Sequence, residues 1–313
     1  MKKCDDYPTP FAGVSLGVLG ISAFWGGLQY GAIIACALLF PILVKFIRQP
    51  RCLIDDLRHP TVGSVVPTLA MSMMLISHAI YPIASVFTII LWSLAVCAHI
   101  GFFIVFMYCR LRNWRLDHIV PSWFVPPIGI VVACLTVPAQ SLMLYAHIIL
   151  YFGIISYAIM LPTMLYRLSL GGKVEDMRKP TLAVLAAPAS LTLAGYLTLI
   201  TVPNTLLVLM LFSIAIVMTI SVYLMLFHML KLPFSPAYAA FTFPLAISAT
   251  AMMKMSYWST QHALFHSYSQ YFYTAAIIEG ILSTLVIGYV LLLTIKYIMT
   301  EQLEVMVRKQ PSY

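Results

Sequence analysis

Few ionisable side chains lie inside the apolar stretches of this 313-residue chain, and each suggests a chemistry. Glu279 lies deep in a long apolar run, where a carboxyl group is energetically costly and is a candidate for proton coupling. The alternative is a structural glutamate that a hydrogen bond holds at a hairpin or subunit contact. A pair of histidines could ligate a haem, and four lie in or near apolar runs: His78, His99, His147 and His228. Because the four occupy different depths, paired ligation is at most partly possible, and we expect no cofactor.

The cysteines and glycines do not form the familiar motifs for metal or nucleotide binding. The six cysteines lack a CxxC pair or another ligand spacing, so we expect free thiols and no metal site. Gly13, Gly17 and Gly20 do not follow a strand, so they are not a dinucleotide fingerprint. Such small residues either permit close helix approach or line a narrow pore. The loops are too short to hold a soluble catalytic domain, so we expect that the protein is not an enzyme.

The composition indicates a polytopic membrane protein, because 62% of the residues are hydrophobic and only 9% are charged. Runs of about 18 or more apolar residues are long enough to cross a bilayer. Ten such runs lie at about 11–28, 30–48, 62–80, 84–109, 122–139, 143–167, 181–200, 204–230, 237–254 and 269–297. We therefore predict an all-α protein with ten transmembrane helices and short cytoplasmic tails, forming a single transmembrane domain over residues 1–313.

The basic residues predict the orientation of the chain. An even number of spans puts both termini on one side of the membrane, and 17 of the 18 Lys and Arg residues then lie on that side. The exception is Lys254. The positive-inside rule therefore places both termini in the cytoplasm, and we expect a protein of the cell membrane. The net charge of +8 is explained by these loops, which face anionic lipid headgroups, so we expect no nucleic-acid partner.

A proline pattern divides the chain into five repeats, each of which reads as a helical hairpin. One proline stands near the start of every odd-numbered span: Pro10, Pro60, Pro121, Pro180 and Pro236. The predicted hairpins are approximately 8–48, 59–109, 120–167, 179–230 and 235–297.

A second position in each odd-numbered span predicts a bend. Prolines occupy it in four repeats, at Pro67, Pro127, Pro188 and Pro244, and Gly17 occupies it in the first. An interior proline removes a hydrogen bond and kinks a helix. Because the freed carbonyl group is costly in lipid, such helices belong where protein or a watery cavity surrounds them. We therefore predict that the odd helices form an inner ring and that these five positions line a central pore.

The segments TPFAGVSLG, HPTVGSVVP, KPTLAVLAAP and AFTFPLAISATAMMK resemble the tellurite-resistance/dicarboxylate transporter family. This family includes the bacterial TehA proteins and the plant guard-cell slow anion channels, and the resemblance covers essentially the whole chain. It implies a homotrimer of independent pores, each made of five hairpins in a quasi-fivefold arrangement. It also implies a gate, because a Phe in the F/Y-x-F-P segment of the ninth helix plugs the pore in this family. By this motif the gate is Phe243, for which the alternative is an ordinary core or lipid-facing Phe.

The charges of the predicted inner helices favour an anion as the transported species. No Asp or Glu falls within them, and Lys254 lies at the outer end of the ninth helix. A lumen without carboxylates does not suit a cation. Lys254 either attracts anions or extends its ammonium group to the membrane interface.

We therefore predict an anion channel, or a channel-like transporter, that passes small inorganic or organic anions through a pore gated by Phe243. The alternative is a proton-coupled carrier of C4-dicarboxylates, sulfite or tellurium oxyanions. Its titrating residue would be Glu279, His147 or His99. The expected partners are these anions, membrane lipids and two further copies of the chain in a homotrimer.

Overall fold

The structure of the protein is a computed structural model that describes residues 7–172 and 175–309, with side chains described up to residue 300. In these parts of the chain every regular element is a helix. Eight helices are long and apolar enough to cross a membrane. The prediction of an all-α membrane protein is therefore confirmed.

We label ten apolar helices in chain order. Their bounds are α1 Phe11–Phe24, α2 Leu28–Arg48, α3 Val62–Ile80, α4 Ser85–Arg112, α5 Pro121–Leu135, α6 Gln140–Leu170, α7 Asp176–Leu199, α8 Thr205–Met229, α9 Pro236–Thr260 and α10 His266–Thr300. A further short helix, Pro50–Arg58, connects α2 to α3 and was not predicted from the sequence.

Helices α1 and α5 are shorter than the apolar runs from which they were predicted. The run at 11–28 gives only the 14 residues of α1, because the chain turns at Gly26, whose φ of 75° is open to glycine. In α5, Pro126 and Pro127 break the regular hydrogen bonding, and the helix ends at Leu135.

Burial divides the helices into two sets. In the most apolar window of α3, α7 and α9, between 67% and 78% of the residues are buried, against 22% to 44% in the even-numbered helices. In α1, every residue from Phe11 to Ile21 is buried. The odd-numbered helices are therefore the more buried set, and the even-numbered helices contribute most of the apolar outer surface.

The odd-numbered helices also contact one another in series. Helix α1 packs against α3, α3 against α5, α5 against α7, and α7 against α9. Helix α9 then packs against α1, which closes the series. Each even-numbered helix packs on the odd-numbered helix that precedes it in the chain. The two ends of the sequence are thus brought together at the contact between α1 and α9.

The prolines of α7 and α9 stand at the beginning of a new helical segment. In α7, a 3₁₀ segment ends at Ala186 and an α-helix begins at Ala187, one residue before Pro188. In α9, a 3₁₀ segment ends at Phe241 and an α-helix begins at Phe243, one residue before Pro244. A proline in a first turn lacks an N–H group that would have had no helical partner. The chain therefore accommodates these prolines by starting a new helical segment.

Helices α3 and α5 are interrupted in a related way. In α3, regular α-helix stops after Val65 and resumes at Thr68, with Pro67 at the junction. In α5, the segment that contains Pro127 is followed by a 3₁₀ turn at 129–131. Helix α1 runs through Gly17 without interruption.

The cysteines depart from the sequence-based prediction at one position. Cys36, Cys97, Cys109 and Cys134 are free thiols. Cys52 is disulfide-bonded, so the expectation of free thiols is wrong for this residue. Cys4 lies outside the described residues.

Candidate functional site

A cavity of about 450 Å³ lies among the N-terminal halves of the odd-numbered helices. All five of these helices contribute to its wall. Lining residues include Gly13 and Leu16 of α1, Thr68 and Met71 of α3, Ile128 and Gly129 of α5, Thr181 and Pro188 of α7, and Ala240 and Phe243 of α9. The closed series of helix contacts therefore surrounds one shared cavity.

Two charged residues, Lys45 and Asp56, belong to the cavity wall among the described residues. The Lys45 ammonium nitrogen lies 3.2 Å from Oδ2 of Asp56, and it donates a hydrogen bond of 2.9 Å to Oγ1 of Thr9. The Thr9 hydroxyl in turn lies 2.5 Å from the same Asp56 oxygen. The Lys45 side chain is only 6% exposed, so its charge lies in a largely desolvated environment. The cavity thus contains a cation whose charge one carboxylate balances.

Sequence reasoning missed this charged pair because Lys45 belongs to an even-numbered helix. It was assigned only to orientation, along with the other basic residues at the cytoplasmic ends of the predicted spans. A lysine still inside an apolar helix, followed by two Asp residues in the connecting segment, is the signal that could have indicated a pair.

Phe243 belongs to the wall of the cavity. It is 7% exposed, lines the cavity, and begins the α-helical segment of α9. Its ring also packs against Gly20 of α1, where an added Cβ would lie 3.3 Å from Cδ2 of Phe243. Gly20 stands one helical turn beyond Leu16, the last α1 residue in the cavity wall. The ring therefore borders the cavity on one side and contacts α1 beyond it.

The three glycines of α1 all face α9. An added Cβ on Gly13 would lie 3.2 Å from Cβ of Ala239, and one on Gly17 would overlap Cβ of Thr242. Thr242 also donates a hydrogen bond of 2.8 Å to the carbonyl oxygen of Gly13. The glycines therefore permit close packing of the two helices, and Gly13 in addition lines the cavity.

The five positions predicted to line a pore are placed in two groups. Pro188 and Pro244 belong to the cavity wall. Among the described residues, the lining of this cavity does not include Gly17, Pro67 or Pro127. The reason is clear for Gly17, because its surface is covered by Thr242.

The two ionisable residues singled out in α9 and α10 lie away from the central cavity. Lys254 is half-buried and lies three turns after Phe243 on α9. Glu279 is 7% exposed and accepts a hydrogen bond from the Ser248 hydroxyl of α9. It lines a second cavity, of about 300 Å³, that shares no lining residue with the first. The structure thus supplies the hydrogen-bond partner of Glu279 that the sequence could not name.

His99 of α4 and His147 of α6 each form a hydrogen bond with a backbone carbonyl group. One ring nitrogen of His99 lies 2.9 Å from the carbonyl oxygen of Pro126, which ties α4 to the proline turn of α5. A ring nitrogen of His147 lies 2.7 Å from the carbonyl oxygen of Met143 in its own helix. In the described part of the chain neither residue lines either cavity. No cluster of three or more His, Cys, Asp or Glu residues suited to a metal ion occurs among the described residues.

The sequence of the chain matches a known family of membrane proteins. A sequence model of the voltage-dependent anion channel (SLAC1) family matches residues 9–295, so the chain is a member of that family. The resemblance to the family of the plant slow anion channels is therefore confirmed. The protein is a multi-pass membrane protein of a family of anion channels and transporters.

Two relatives are uncharacterized transporters of Methanocaldococcus jannaschii. One is 24% identical over 180 residues, which covers 52% of this chain and 51% of the relative. The other is 23% identical over 197 residues, which covers 57% of this chain and 55% of the relative. The match thus spans about half the length of each of these relatives.

Proposed function

We propose that the protein passes small inorganic or organic anions through a central pore, as an anion channel or channel-like transporter. The observation that carries this proposal is the single cavity to which all five odd-numbered helices contribute. Its wall is largely apolar and includes the ion pair of Lys45 and Asp56. Membership of the anion channel family supports the same assignment.

The proposed architecture is ten transmembrane helices arranged as five hairpins with quasi-fivefold symmetry around the pore. The closed series of contacts among odd-numbered helices and their greater burial support it. Helix α1 has 14 residues. At a rise of about 1.5 Å per residue it is shorter than the hydrocarbon core of about 30 Å. An inner helix packed among longer neighbours need not match that thickness, because protein satisfies its ends.

The proposed gate is Phe243. Its ring lines the cavity and packs against Gly20 of α1. An apolar ring in a narrow lumen excludes water, and an ion that loses its hydration shell there meets a large barrier. Removing the ring would then open a path from the cavity toward the outer side.

We place both termini in the cytoplasm and the cavity mouth on the cytoplasmic side. The basic residues at the N-terminal ends of the odd-numbered helices support this orientation. Lys254 would then attract anions from the side opposite the cytoplasm, whereas Asp56 balances the charge of Lys45. We further propose the homotrimer and the cell membrane location that the family resemblance implies.

The position of Glu279 argues against this residue as the titrating group of a proton-coupled carrier. A coupled carrier needs an ionisable group on the transport path, whereas Glu279 lines the second cavity. The experiment is reconstitution of the purified protein in planar bilayers under asymmetric chloride. We expect a current that reverses near the chloride equilibrium potential and does not follow an imposed pH gradient. Saturable uptake driven by the pH gradient, without such a current, would overturn the channel assignment.

A further inference from the structure

The cavity that contains Glu279 has the features of a ligand site on the outer surface of the helical bundle. It lies between α8 and α10, against α9, and has a volume of about 300 Å³. Apolar residues such as Ile216 and Met252 form most of its wall. Its rim includes Ile220 and Ile278, both 54% exposed, so its entrance opens on the apolar outer surface of the bundle.

A single carboxyl group is built into this apolar wall. Glu279 is 7% exposed, and one of its oxygens accepts a hydrogen bond from Ser248. The other oxygen has no hydrogen-bond partner in the described part of the chain, yet it is not sealed off, so it faces the cavity. The site therefore offers one fixed acceptor that protein groups leave unused.

The carboxyl group also lacks a counter-ion. The described lining of the cavity contains no Lys, Arg or His, and no ion pair to Glu279 occurs among the described residues. A carboxyl group in an apolar environment stays ionised only with a cation or a full set of hydrogen bonds. The volume is at the lower end of the range for organic ligands, about 300 to 1,000 Å³, and apolar walls match a hydrophobic body.

We propose that this cavity binds lipophilic amines that enter from the membrane. The hydrophobic body of the ligand packs between α8 and α10, and its ammonium group pairs with the free oxygen of Glu279. Ser248 stands one turn after Pro244 on α9, so the ligand is attached to the helix that carries Phe243. This proposal stands independently of anion conduction.

The test is equilibrium dialysis of phenylbutylamine against nanodiscs that contain the full chain, with empty nanodiscs subtracted. Phenylbutanol, in which a hydroxyl replaces the ammonium group, is the matched neutral probe. We expect saturable binding of the amine at one site per chain and at least tenfold weaker binding of the alcohol. Glu279→Gln should weaken binding of the amine at least tenfold. Glu175→Gln, the same substitution at a side chain that is 72% exposed, should leave it unchanged.

A second variant keeps the proposal testable if Glu279→Gln fails to fold. Ala275 lines the cavity and is only partly buried, so Ala275→Phe fills the space while it retains the carboxyl group. We expect this variant also to lose amine binding at least tenfold. Equal binding of amine and alcohol would show partition into apolar surface only and would overturn the proposal. Native-like binding to either folded variant would overturn it as well.

Discussion

The ring of Phe243 on α9 packs directly on the backbone of Gly20 on α1. A Cβ added at Gly20 would lie 3.3 Å from Cδ2 and 3.6 Å from Cε2 of the ring. It would also lie 3.1 Å from Cβ of Ala246, one turn further along α9. A side chain at position 20 would therefore press on the ring, so the position of the proposed gate depends on both helices.

Gly20→Ala should displace the ring partly. The added methyl group meets Phe243 and Ala246 at distances that force a shift of a few tenths of an ångström. We expect anion conductance to rise by roughly twofold to tenfold, or about 0.4 to 1.4 kcal/mol in barrier height. Voltage-clamp recording of purified protein in bilayers measures this change. Gly101→Ala is the control, because nothing lies within 4 Å of a Cβ at that position. If a folded Gly20→Ala protein had native conductance, the proposal that α1 helps to hold the Phe243 ring in the pore would be contradicted.

Gly17→Ala should destabilise the fold. The added Cβ would overlap Thr242 and lie 3.0 Å from the backbone nitrogen of Phe243, which cannot move as a flexible side chain can. Overpacking of this kind costs about 1 to 3 kcal/mol, so the midpoint of thermal unfolding should fall. Gly288→Ala has open space around it and should be neutral or stabilising by up to about 1 kcal/mol, since Ala favours helix. Similar midpoints of thermal unfolding for Gly17→Ala and Gly288→Ala would contradict the close packing of α1 against α9 at Gly17.

Asp56→Asn should increase anion passage. Asp56 balances Lys45 at 3.2 Å, and its neutralisation leaves the positive charge of Lys45 in the cavity wall. A unit charge at 4 Å contributes between about 1 and 4 kcal/mol, according to the local dielectric, so we expect at least about a fivefold rise in chloride conductance. Lys45→Met should lower conductance, because Asp56 then remains alone. Asp55→Asn is the matched control, since the Asp55 side chain is 65% exposed. A fall in conductance with folded Asp56→Asn would contradict the role given to Lys45.

Thr242→Val should loosen the α1–α9 contact without changing its shape. The hydroxyl of Thr242 shares its proton between the carbonyl oxygen of Gly13 at 2.8 Å and that of Ala239 at 2.7 Å, and Val cannot donate. We expect a loss of about 0.5 to 1.5 kcal/mol in the free energy of unfolding. Thr300→Val removes a hydroxyl that bonds within its own exposed helix end and should have little effect. Equal effects of the two substitutions on thermal stability would show that the interhelical bond adds nothing.

The all-helical class could be predicted from the sequence because the signals for helices are local. Pro188 and Pro244 act on their own backbone, so their positions mark where a new helical segment begins. Apolar run length was less informative for α1, because Gly26 turns the chain while the apolar run continues.

Contacts between residues on different helices could not be predicted from the sequence in the same way. Gly17 and Gly20 suggested a close approach, but nothing in their neighbourhood in the chain identified Thr242 or Phe243 as the partner. The partner of Glu279, Ser248, lies on a different helix, and the contact depends on how the hairpins pack. The position of Phe243 was obtained from its motif, and its contact with α1 only from the structure.

The central claim is tested most directly by the anion current of Phe243→Ala compared with that of the native protein. Both proteins are reconstituted in voltage-clamped bilayers, with chloride, nitrate and malate tested in turn. Phe241→Ala, which removes a fully buried ring outside the cavity lining, serves as the control for a merely loosened core. We predict that conductance rises at least about tenfold, or about 1.4 kcal/mol, in Phe243→Ala and not in Phe241→Ala. Unchanged current in a folded Phe243→Ala protein would contradict the assignment of this ring as the gate of an anion pore.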